Sequence, residues 1–283
     1  MRMSRAVTAA VATVLCGAAV ACGGSDGDTG GKGGRGDRST LTIAVRDDLP
    51  GIGLRTPDGV YEGFDIDVAT YVAGRLGVPA SRIKWKATVP AERENLLVRG
   101  DVDLVIATYS ITEQRKRKVS FAGPYFLAHQ DLLVRADDRS LRSATDLNGR
   151  KLCSVTGSTS AQNVKNKLAP DADLQEFSSP TECLTGLENK AVDALTNDDS
   201  ILAGFAGQRQ HRGKFRLAGL RLSDERYGVG IAKEDGALRR DVNRALASMV
   251  SDGSWDKAVR THFGPGGYVP EKAPKIDETG EPG

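Results

Sequence analysis

The sequence has few histidines, the side chain that most often serves as a catalytic acid or base. Its three histidines, His129, His211 and His262, are far apart in the chain and match neither a catalytic triad nor a zinc-binding pattern. The chain contains no G-x-x-x-x-G-K-[ST] phosphate-binding loop, and the segment 157–160 lacks the G-x-S-x-G arrangement of a nucleophile elbow. These absences predict a protein that is not an enzyme and that needs no metal or other cofactor.

An excess of charge of one sign is also absent. Lys and Arg number 39 and Asp and Glu 37, so the formal net charge is +2, and it is zero once Arg2 and Arg5 are left out. The longest basic run extends from Arg115 to Lys118. Nucleic-acid binding depends on basic patches that neutralise phosphates, so this chain has no electrostatic basis for it.

The N-terminal apolar segment is too short and too interrupted for a membrane-spanning helix. After a basic start it runs from Ala6 to Ala21 and contains Thr8, Thr13 and Gly17, whereas a spanning helix needs about 20 mostly apolar residues. Residues 1–21 are therefore predicted to be an export signal that is removed, and the mature protein is expected to be extracytoplasmic.

Cys22 follows this segment and resembles the modified cysteine of a lipobox. In that motif the thiol is acylated and becomes the first residue of a lipoprotein, which predicts a lipid anchor at the outer face of the cytoplasmic membrane. The motif usually has leucine three residues before the cysteine, where this chain has Ala19, so cleavage without lipidation remains the alternative. Residues 22–40 are rich in glycine and lack large apolar side chains, which predicts a flexible tether.

Cysteine is otherwise limited to one pair. In the exported body only Cys153 and Cys183 remain, and an even count outside the cytosol favours a disulfide between them. Two buried free thiols are the alternative.

The tail 265–283 is rich in Pro and Gly and is predicted to be disordered.

Between residues 40 and 264, segments typical of strands alternate with segments typical of helices. Strands are predicted at 41–45, 83–87, 103–107, 132–134, 152–155, 192–196 and 228–232. Helices are predicted from Asp65 as N-cap to Gly77, from Pro90 to Gly100, after the capping box 179–182, over 200–207, around 238–249 and over 254–264. The pattern restarts after Phe126, so we expect two α/β units joined by two chain crossings, with a cleft between them.

Several segments of the body are similar to one known family. They are Gly63 to Ala69 (GFDIDVA), Gly100 to Phe126 (GDVDLVIATYSITEQRKRKVSFAGPYF), and those that begin at Thr156 (TGSTSAQN), Ala191 (AVDALTNDDSILAG) and Glu225 (ERYGVGIAK). In order, and over nearly all of residues 41–264, these segments resemble the family 3 extracellular solute-binding proteins, which are the polar amino-acid receptors of ABC importers. The stretch from Asp48 to Leu54 and the two body cysteines are similar to those of glutamate-binding lipoproteins of Gram-positive bacteria.

The resemblance implies a fold and partners. The family has a periplasmic-binding-protein-like fold of two α/β lobes, which are joined by a hinge and close on a ligand in the cleft between them. By similarity, lobe 1 comprises residues 40–125 and 228–264, and lobe 2 comprises residues 130–222. The chain is expected to be a monomer that delivers its ligand to ABC permease subunits served by a separate ATPase.

The resemblance also implies ligand contacts. Arg115 corresponds to the family arginine that holds the α-carboxylate, which a guanidinium can do bidentately. Thr108 and Ser110 correspond to positions that bind the carboxylate and the ammonium group. In the second lobe, Ser158 and Thr159 follow a strand and open a helix, so backbone N–H groups there can face an anion.

Two further charged positions decide the expected ligand. Asp198 corresponds to the family carboxylate that binds the ammonium group; its neighbour Asp199 is the competing candidate, with a helix N-cap as its expected role. Arg46 resembles the arginine that contacts the side-chain carboxylate in glutamate and aspartate receptors, which predicts glutamate or aspartate as the ligand. A solvated Arg46 at the end of a strand is the alternative, and it would remove this basis for an acidic ligand.

Other ligands and functions remain open on the sequence alone. A receptor for glutamine or asparagine would share the fold and most of the contacts. A dehydratase of the cyclohexadienyl type is an enzyme built on this fold, and it would need a proton donor in the cleft. A sensor module that reports ligand occupancy to a membrane receptor would carry no distinguishing motif.

Overall fold

The structure, a computed structural model, describes residues 39–264 and 267–276. The predictions of an export signal over 1–21, of lipidation at Cys22 and of a tether over most of 22–40 lie outside these residues. Within the described ranges, no helix combines the length and the apolar character that crossing a lipid bilayer requires.

Strands and helices alternate along most of the described chain. The strands are β1 (Leu41–Val45), β2 (Asp48–Leu49), β3 (Gly53–Arg55), β4 (Tyr61–Glu62), β5 (Ile83–Ala87), β6 (Leu104–Val105), β7 (Val119–Arg135), β8 (Lys151–Val155), β9 (Asp173–Phe177), β10 (Ala194–Asp198), β11 (Phe215–Leu217) and β12 (Ser223–Ala232). The α-helices are α1 (Phe64–Arg75), α2 (Arg93–Val98), α3 (Glu113–Lys116), α4 (Thr159–Asn163), α5 (Pro180–Glu188), α6 (Asp199–Gly207), α7 (Gly236–Ser251) and α8 (Ser254–His262). This alternation confirms the predicted α/β class.

Most of the strands belong to one mixed sheet. Its order is β5-β1-β6-β12-β7-β10-β8-β9, with β11 paired to β7, while β2, β3 and β4 form a small separate sheet. At one end β1 is parallel to β5 and β6, and at the other β8 is parallel to β9 and β10. Parallel strands need long crossovers, usually through helices, so each parallel group is the centre of one α/β unit.

The antiparallel strands β7 and β12 form the two crossings between these units. They pair from Val119 opposite Ala232 to Gln130 opposite Ser223, and the register shifts after Tyr227. The crossings are therefore adjacent strands that are hydrogen-bonded to each other along their length, and not separate loops.

The start of α1 differs from the prediction. The helix begins at Phe64 after Gly63, and Asp65 is not its N-cap. Gly63 has a φ of 128°, and a Cβ at this position would lie 2.3 Å from the carbonyl oxygen of Ile52. The chain therefore needs glycine to enter the helix. Asp65 instead lies in the first turn and is fully buried.

The capping box predicted at the start of α5 is half formed. Ser179 Oγ accepts a hydrogen bond from the backbone N–H of Thr181, as an N-cap does. The side chain of Glu182 accepts from Ser178 Oγ instead of bonding back to the N-cap. Ser179 Oγ also donates to Asp48 Oδ2 at 2.7 Å, so the start of α5 is tied to β2.

Cys153 and Cys183 form a disulfide, which confirms the predicted pairing. Both residues are fully buried, and the bond joins β8 to α5 across a sequence separation of 30 residues. A disulfide that closes a loop of this size adds on the order of 3 to 4 kcal/mol to the free energy of unfolding, in the chain-entropy model.

Part of the segment for which disorder is predicted lies against the body. Tyr268 OH donates to Asp199 Oδ1 at 2.9 Å, and Glu271 Oε1 accepts from Arg221 Nη2 at 2.7 Å. Residues 267–276 therefore contact α6 and the segment before β12, although they form neither helix nor strand.

Candidate functional site

A cavity lies where the carboxyl ends of the parallel strands meet the helices that follow them. Its interior holds about 20 Å³ of free space, room for about one water molecule, so its walls lie close together. In α/β proteins this edge of the sheet is where ligands bind. The lining residues are Arg46, Leu49, Pro90, Arg93, Thr108, Ser110, Val155, Ser158, Thr159, Pro180, Asn197, Asp198 and Ile201.

Six of the seven predicted ligand-binding residues line this cavity. They are Arg46, Thr108, Ser110, Ser158, Thr159 and Asp198. Arg115 is the seventh and lies beside the cavity without lining it, whereas Arg93, which no sequence motif marked, does line it. Motifs that are up to 152 positions apart in the chain therefore converge on one site.

Thr108 and Ser110 follow β6 on one wall of the cavity. Thr108 has a φ of 47°, a left-handed conformation that is uncommon for residues other than glycine. Its backbone N–H donates to Asp65 Oδ2 and its hydroxyl donates to Ala107 O, both at 2.8 Å. Ser110 forms an isolated antiparallel bridge with Tyr227, so β12 fixes its backbone.

Ser158 and Thr159 lie at the start of α4, as predicted. Ser158 is the N-cap, and its hydroxyl accepts from the backbone N–H of Ala161 at 3.0 Å. Thr159 is the first helical residue, and its hydroxyl donates to Glu225 Oε2 at 2.9 Å. Both hydroxyl groups are therefore held in place by bonds within the protein.

Asp198 is the acidic residue of the cavity lining. Its Oδ2 accepts a hydrogen bond from Tyr227 OH at 2.6 Å. Burial raises the pKa of Asp198 to about 8, and the negative charge of Glu225 contributes to this rise. A positively charged group placed against Asp198 would lower this pKa and favour the ionised carboxylate.

Asp199 is held away from the cavity. Strand β10 passes directly into α6, so Asp198 is both the last strand residue and the N-cap, and the N-cap role predicted for Asp199 is wrong by one residue. Asp199 Oδ1 accepts from the backbone N–H groups of His129 and Ser200. Its carboxylate therefore fastens α6 to β7.

Arg46 lies at the end of β1 with 2% of its surface exposed, so the alternative of a solvated strand-end residue is wrong. Its Nε and Nη2 atoms donate to Asp48 Oδ1 at 2.9 and 2.6 Å. The positive charge of Arg46 is therefore already matched by a neighbouring carboxylate.

Arg93 begins α2 and is also 2% exposed. Its Nη1 donates to Ala107 O at 2.7 Å and to Thr108 O at 3.1 Å, and its Nε donates to Pro90 O at 3.3 Å. Among residues 39–264 and 267–276 it forms no ion pair. The signal that could have marked it is its place at the start of a helix just after the carboxyl end of β5.

Arg115 lies on α3 beside the cavity. Its Nη1 donates to Ser110 O at 2.7 Å and its Nη2 to Gly157 O at 3.2 Å, while its Nε lies 3.4 Å from Glu94 Oε1. The guanidinium therefore links the backbone segments that carry Ser110 and Ser158.

Arg46, Arg93 and Arg115 form a cluster of buried positive charge around the cavity, which we call the arginine cluster. The guanidinium carbons of Arg93 and Arg115 lie 4.6 and 5.1 Å from the centre of the Tyr109 ring, a favourable cation–π arrangement. Burial lowers the pKa of Arg93 to about 9, and the charges of Arg115 and Arg46 contribute. Arg93 is the member of the cluster without a carboxylate partner among the described residues.

This arrangement can bind a small zwitterion. The lining supplies guanidinium groups, one carboxylate, several hydroxyl groups and backbone polar groups, and it includes neither histidine nor cysteine. In the described ranges, no group of three or more His, Cys, Asp or Glu side chains is placed to hold a metal ion.

The comparisons with known proteins agree with this geometry. Residues 41–265 match the family described as bacterial extracellular solute-binding proteins, family 3. Among curated relatives, the glutamate-binding protein GluB of Corynebacterium efficiens is 40% identical over 272 residues, or 92% of this chain and 91% of that protein. The ABC transporter glutamine-binding protein GlnH of Bacillus subtilis is 36% identical over 226 residues, or 79% of this chain and 81% of that protein.

A solved structure extends the match to three dimensions. An ancestral arginine-binding protein bound to arginine is 33% identical, with a TM-score of 0.74 over 80% of this chain and 99% of that one. This match confirms the predicted two-lobed, periplasmic-binding-protein-like fold. The ligands in these names differ, so similarity alone does not choose among them.

Proposed function

The chain belongs to the bacterial extracellular solute-binding proteins of family 3, and on that basis we propose that it captures glutamate or aspartate and delivers it to an ABC permease. Family membership and the named relatives support the coarser function, amino-acid binding for an ABC transporter. One observation carries the acidic ligand: the arginine cluster surrounds a cavity that is lined by a single carboxylate, Asp198.

A dicarboxylic amino acid matches the charges of this site. It carries two carboxylates and one ammonium group, whereas the site offers Arg93 and Arg115 as cations and Asp198 as the anion. Arg46 is matched by Asp48, and Arg115 shares its charge with Glu94 at 3.4 Å, so Arg93 is the cation with the most charge left for a ligand carboxylate. A ligand that gives up its water shell needs fixed partners of opposite charge, and this site supplies one for each charge of glutamate.

The α-carboxylate is assigned to Arg115 together with Ser110 and the start of α4 at Ser158 and Thr159. A carboxylate is a stronger acceptor than a peptide carbonyl. We therefore expect Arg115 Nη2, which here donates to Gly157 O, to turn to the ligand when it binds.

The remaining groups of the ligand are assigned to the other charged residues. The ammonium group is assigned to Asp198 and to the backbone at Thr108. The side-chain carboxylate is assigned to Arg93, with Arg46 beside it.

Glutamine is the second candidate ligand, because one named relative binds it. Its uncharged amide would give Arg93 no carboxylate to bond, so we expect glutamate to bind more tightly.

Binding of glutamate at pH 7 is expected to release close to one proton from the protein. The pKa of Asp198 is raised to about 8 by burial, so its carboxyl group is mostly protonated at pH 7. The ligand's ammonium group lowers this pKa, and the proton leaves when the ligand binds. By the same linkage the affinity should rise severalfold as the pH is raised from 6.5 to 7.5.

Calorimetry of the full chain in two buffers of different ionisation enthalpy measures this proton release. Glutamate binding with no proton released would show that Asp198 is not the partner of the ammonium group. If glutamate produces no binding heat in either buffer, and no displacement of a bound amino acid, the acidic ligand is wrong.

We also propose that the chain is a lipoprotein anchored at the outer face of the membrane through Cys22. The small residues before Cys22 and the extracellular family support this. In cells fed labelled palmitate, the wild type and Cys16→Ala should carry the label, whereas Cys22→Ala should not. Cys16→Ala is the matched control because both cysteines lie in the same segment. Label on Cys22→Ala would contradict the proposal.

A further inference from the structure

We propose that Asp65 is a positioning residue of the ligand site, which acts by holding the backbone of Thr108 in its left-handed conformation. This inference rests on the proposed function, because Thr108 is assigned there to the ammonium group of the ligand. Asp65 does not line the cavity, so its effect on the ligand is exerted through Thr108.

Both carboxylate oxygens of Asp65 are engaged inside the protein. Oδ2 accepts from the backbone N–H of Thr108, and Oδ1 accepts from Tyr125 OH, each at 2.8 Å. Asp65 has no exposed surface. A fully buried carboxylate costs free energy unless its oxygens are bonded, so these two bonds fix its position.

The Thr108 peptide is held from the other side as well. Its carbonyl oxygen accepts from Arg93 Nη1 at 3.1 Å. A threonine at a φ of 47° is in a conformation that persists only where the surroundings enforce it. The carboxylate of Asp65 and the guanidinium of Arg93 provide that enforcement, and Thr108 itself lines the cavity.

The charge state of Asp65 should make the affinity for the ligand depend on pH. Burial raises the pKa of Asp65 to about 6, against the opposing effects of its bonds to Tyr125 and Thr108 and of the charge of Arg93. The groups that face it are thus Tyr125 on β7 and Arg93 on α2. Protonation turns one of the two carboxylate oxygens into a hydroxyl group. Below pH 6, Asp65 therefore no longer accepts the hydrogen bonds from Thr108 and Tyr125 as a carboxylate.

A double-mutant cycle tests whether Asp65 acts through Thr108. Asp65→Ala removes the acceptor and is expected to weaken glutamate binding roughly tenfold, because it leaves a buried N–H unbonded. In a Thr108→Gly background the same replacement should lower the glutamate affinity clearly less, since glycine adopts positive φ without support. The affinities are measured by calorimetry on the full chain at pH 7.5.

Asp67→Ala is the matched control. Asp67 lies two residues away on the same helix, is exposed, and contacts His262 at the surface. It should leave the affinity unchanged. If Asp65→Ala binds like the wild type, or if its cost is the same in the Thr108 and Thr108→Gly backgrounds, the proposal is overturned.

Asp65→Asn provides a second test should Asp65→Ala fail to fold. Asparagine can still accept from the Thr108 N–H but does not titrate. Between pH 7 and pH 5 the wild type should lose up to about tenfold more affinity than Asp65→Asn, given protonation near pH 6. An equal loss in both proteins would overturn the proposal. Should the wild type bind a different amino acid, the proposed ligand fails, and both tests of Asp65 are made with that amino acid.

Discussion

Replacing Asp198 by asparagine is expected to lower the affinity for glutamate about 100-fold or more. The variant keeps the size of the side chain and an acceptor for Tyr227 OH, but it removes the negative charge that the ammonium group needs. Truncating one partner of a buried charge pair costs about 2 to 5 kcal/mol, and about 1.4 kcal/mol is a factor of ten in affinity. Calorimetry with glutamate at pH 7.5 measures the loss.

The same variant should fold as well as the wild type. Burial keeps Asp198 mostly protonated near pH 7 when no cation faces it, so a neutral amide replaces a largely neutral group. Urea unfolding checks this. Asp199→Asn is the control, because that carboxylate bonds to the backbone of His129 and Ser200 and does not line the cavity. If Asp199→Asn were the variant that loses binding, the assignment of the ammonium group would be reversed.

Replacing Arg93 by glutamine is expected to remove the preference for an acidic side chain. Arg93 is the buried cation of the arginine cluster that lacks a carboxylate partner among the described residues, so the side-chain carboxylate of glutamate gains most from it. We expect glutamate affinity to fall about 100-fold, from the loss of a buried charge pair. The affinity for glutamine should fall less, only by the part that comes from losing the Arg93 bond to the backbone of Thr108, because its amide carries no charge to pair with the guanidinium.

The ratio of glutamate to glutamine affinity is therefore the quantity to measure for this variant. Arg99→Gln is the matched control: it removes the same charge from the end of the same helix, where the side chain is 59% exposed and pairs with Asp101. Exposed ion pairs contribute little, so the ratio should not change. Equal weakening of both ligands by Arg93→Gln would contradict the role in specificity and indicate a structural role.

The parts of the fold that follow from the sequence are those with a strong local pattern. Strand β1 has the bounds that its apolar run predicts, and β5 has those that its apolar alternation predicts. By contrast, β9 and β11 have mostly half-buried or exposed residues and carry charged side chains. Strand β9 has no regular apolar alternation and β11 is only three residues long, so pairing with a neighbouring strand is what makes each of them a strand.

The long strand β7 shows a second limit of local patterns. It spans 17 residues, of which the sequence marks only 132–134. Nearly all of its side chains are buried, so it lacks the alternation of apolar and polar residues that marks a strand with one solvent-exposed face. Tertiary packing, and not a local pattern, therefore determines that the chain crosses between the two units as the paired strands β7 and β12.

The candidate site was predictable where its residues belong to motifs. Arg93 was not, because an arginine among Glu92, Glu94 and Asn95 has the pattern of a solvated helix face. Its burial arises from packing against the backbone at Ala107, far away in the chain. Asp65 was marked as a helix cap for a similar reason, since its partners Thr108 and Tyr125 are 43 and 60 residues away.

We expect this cavity to select an acidic amino acid. Calorimetric titration of the full chain with each of the 20 common amino acids at pH 7.5 tests it most directly. Glutamate or aspartate should bind most tightly, and glutamine should bind at least about tenfold more weakly, because its amide gives Arg93 no carboxylate to bond. Tightest binding of glutamine, or of a cationic amino acid such as arginine, would contradict it.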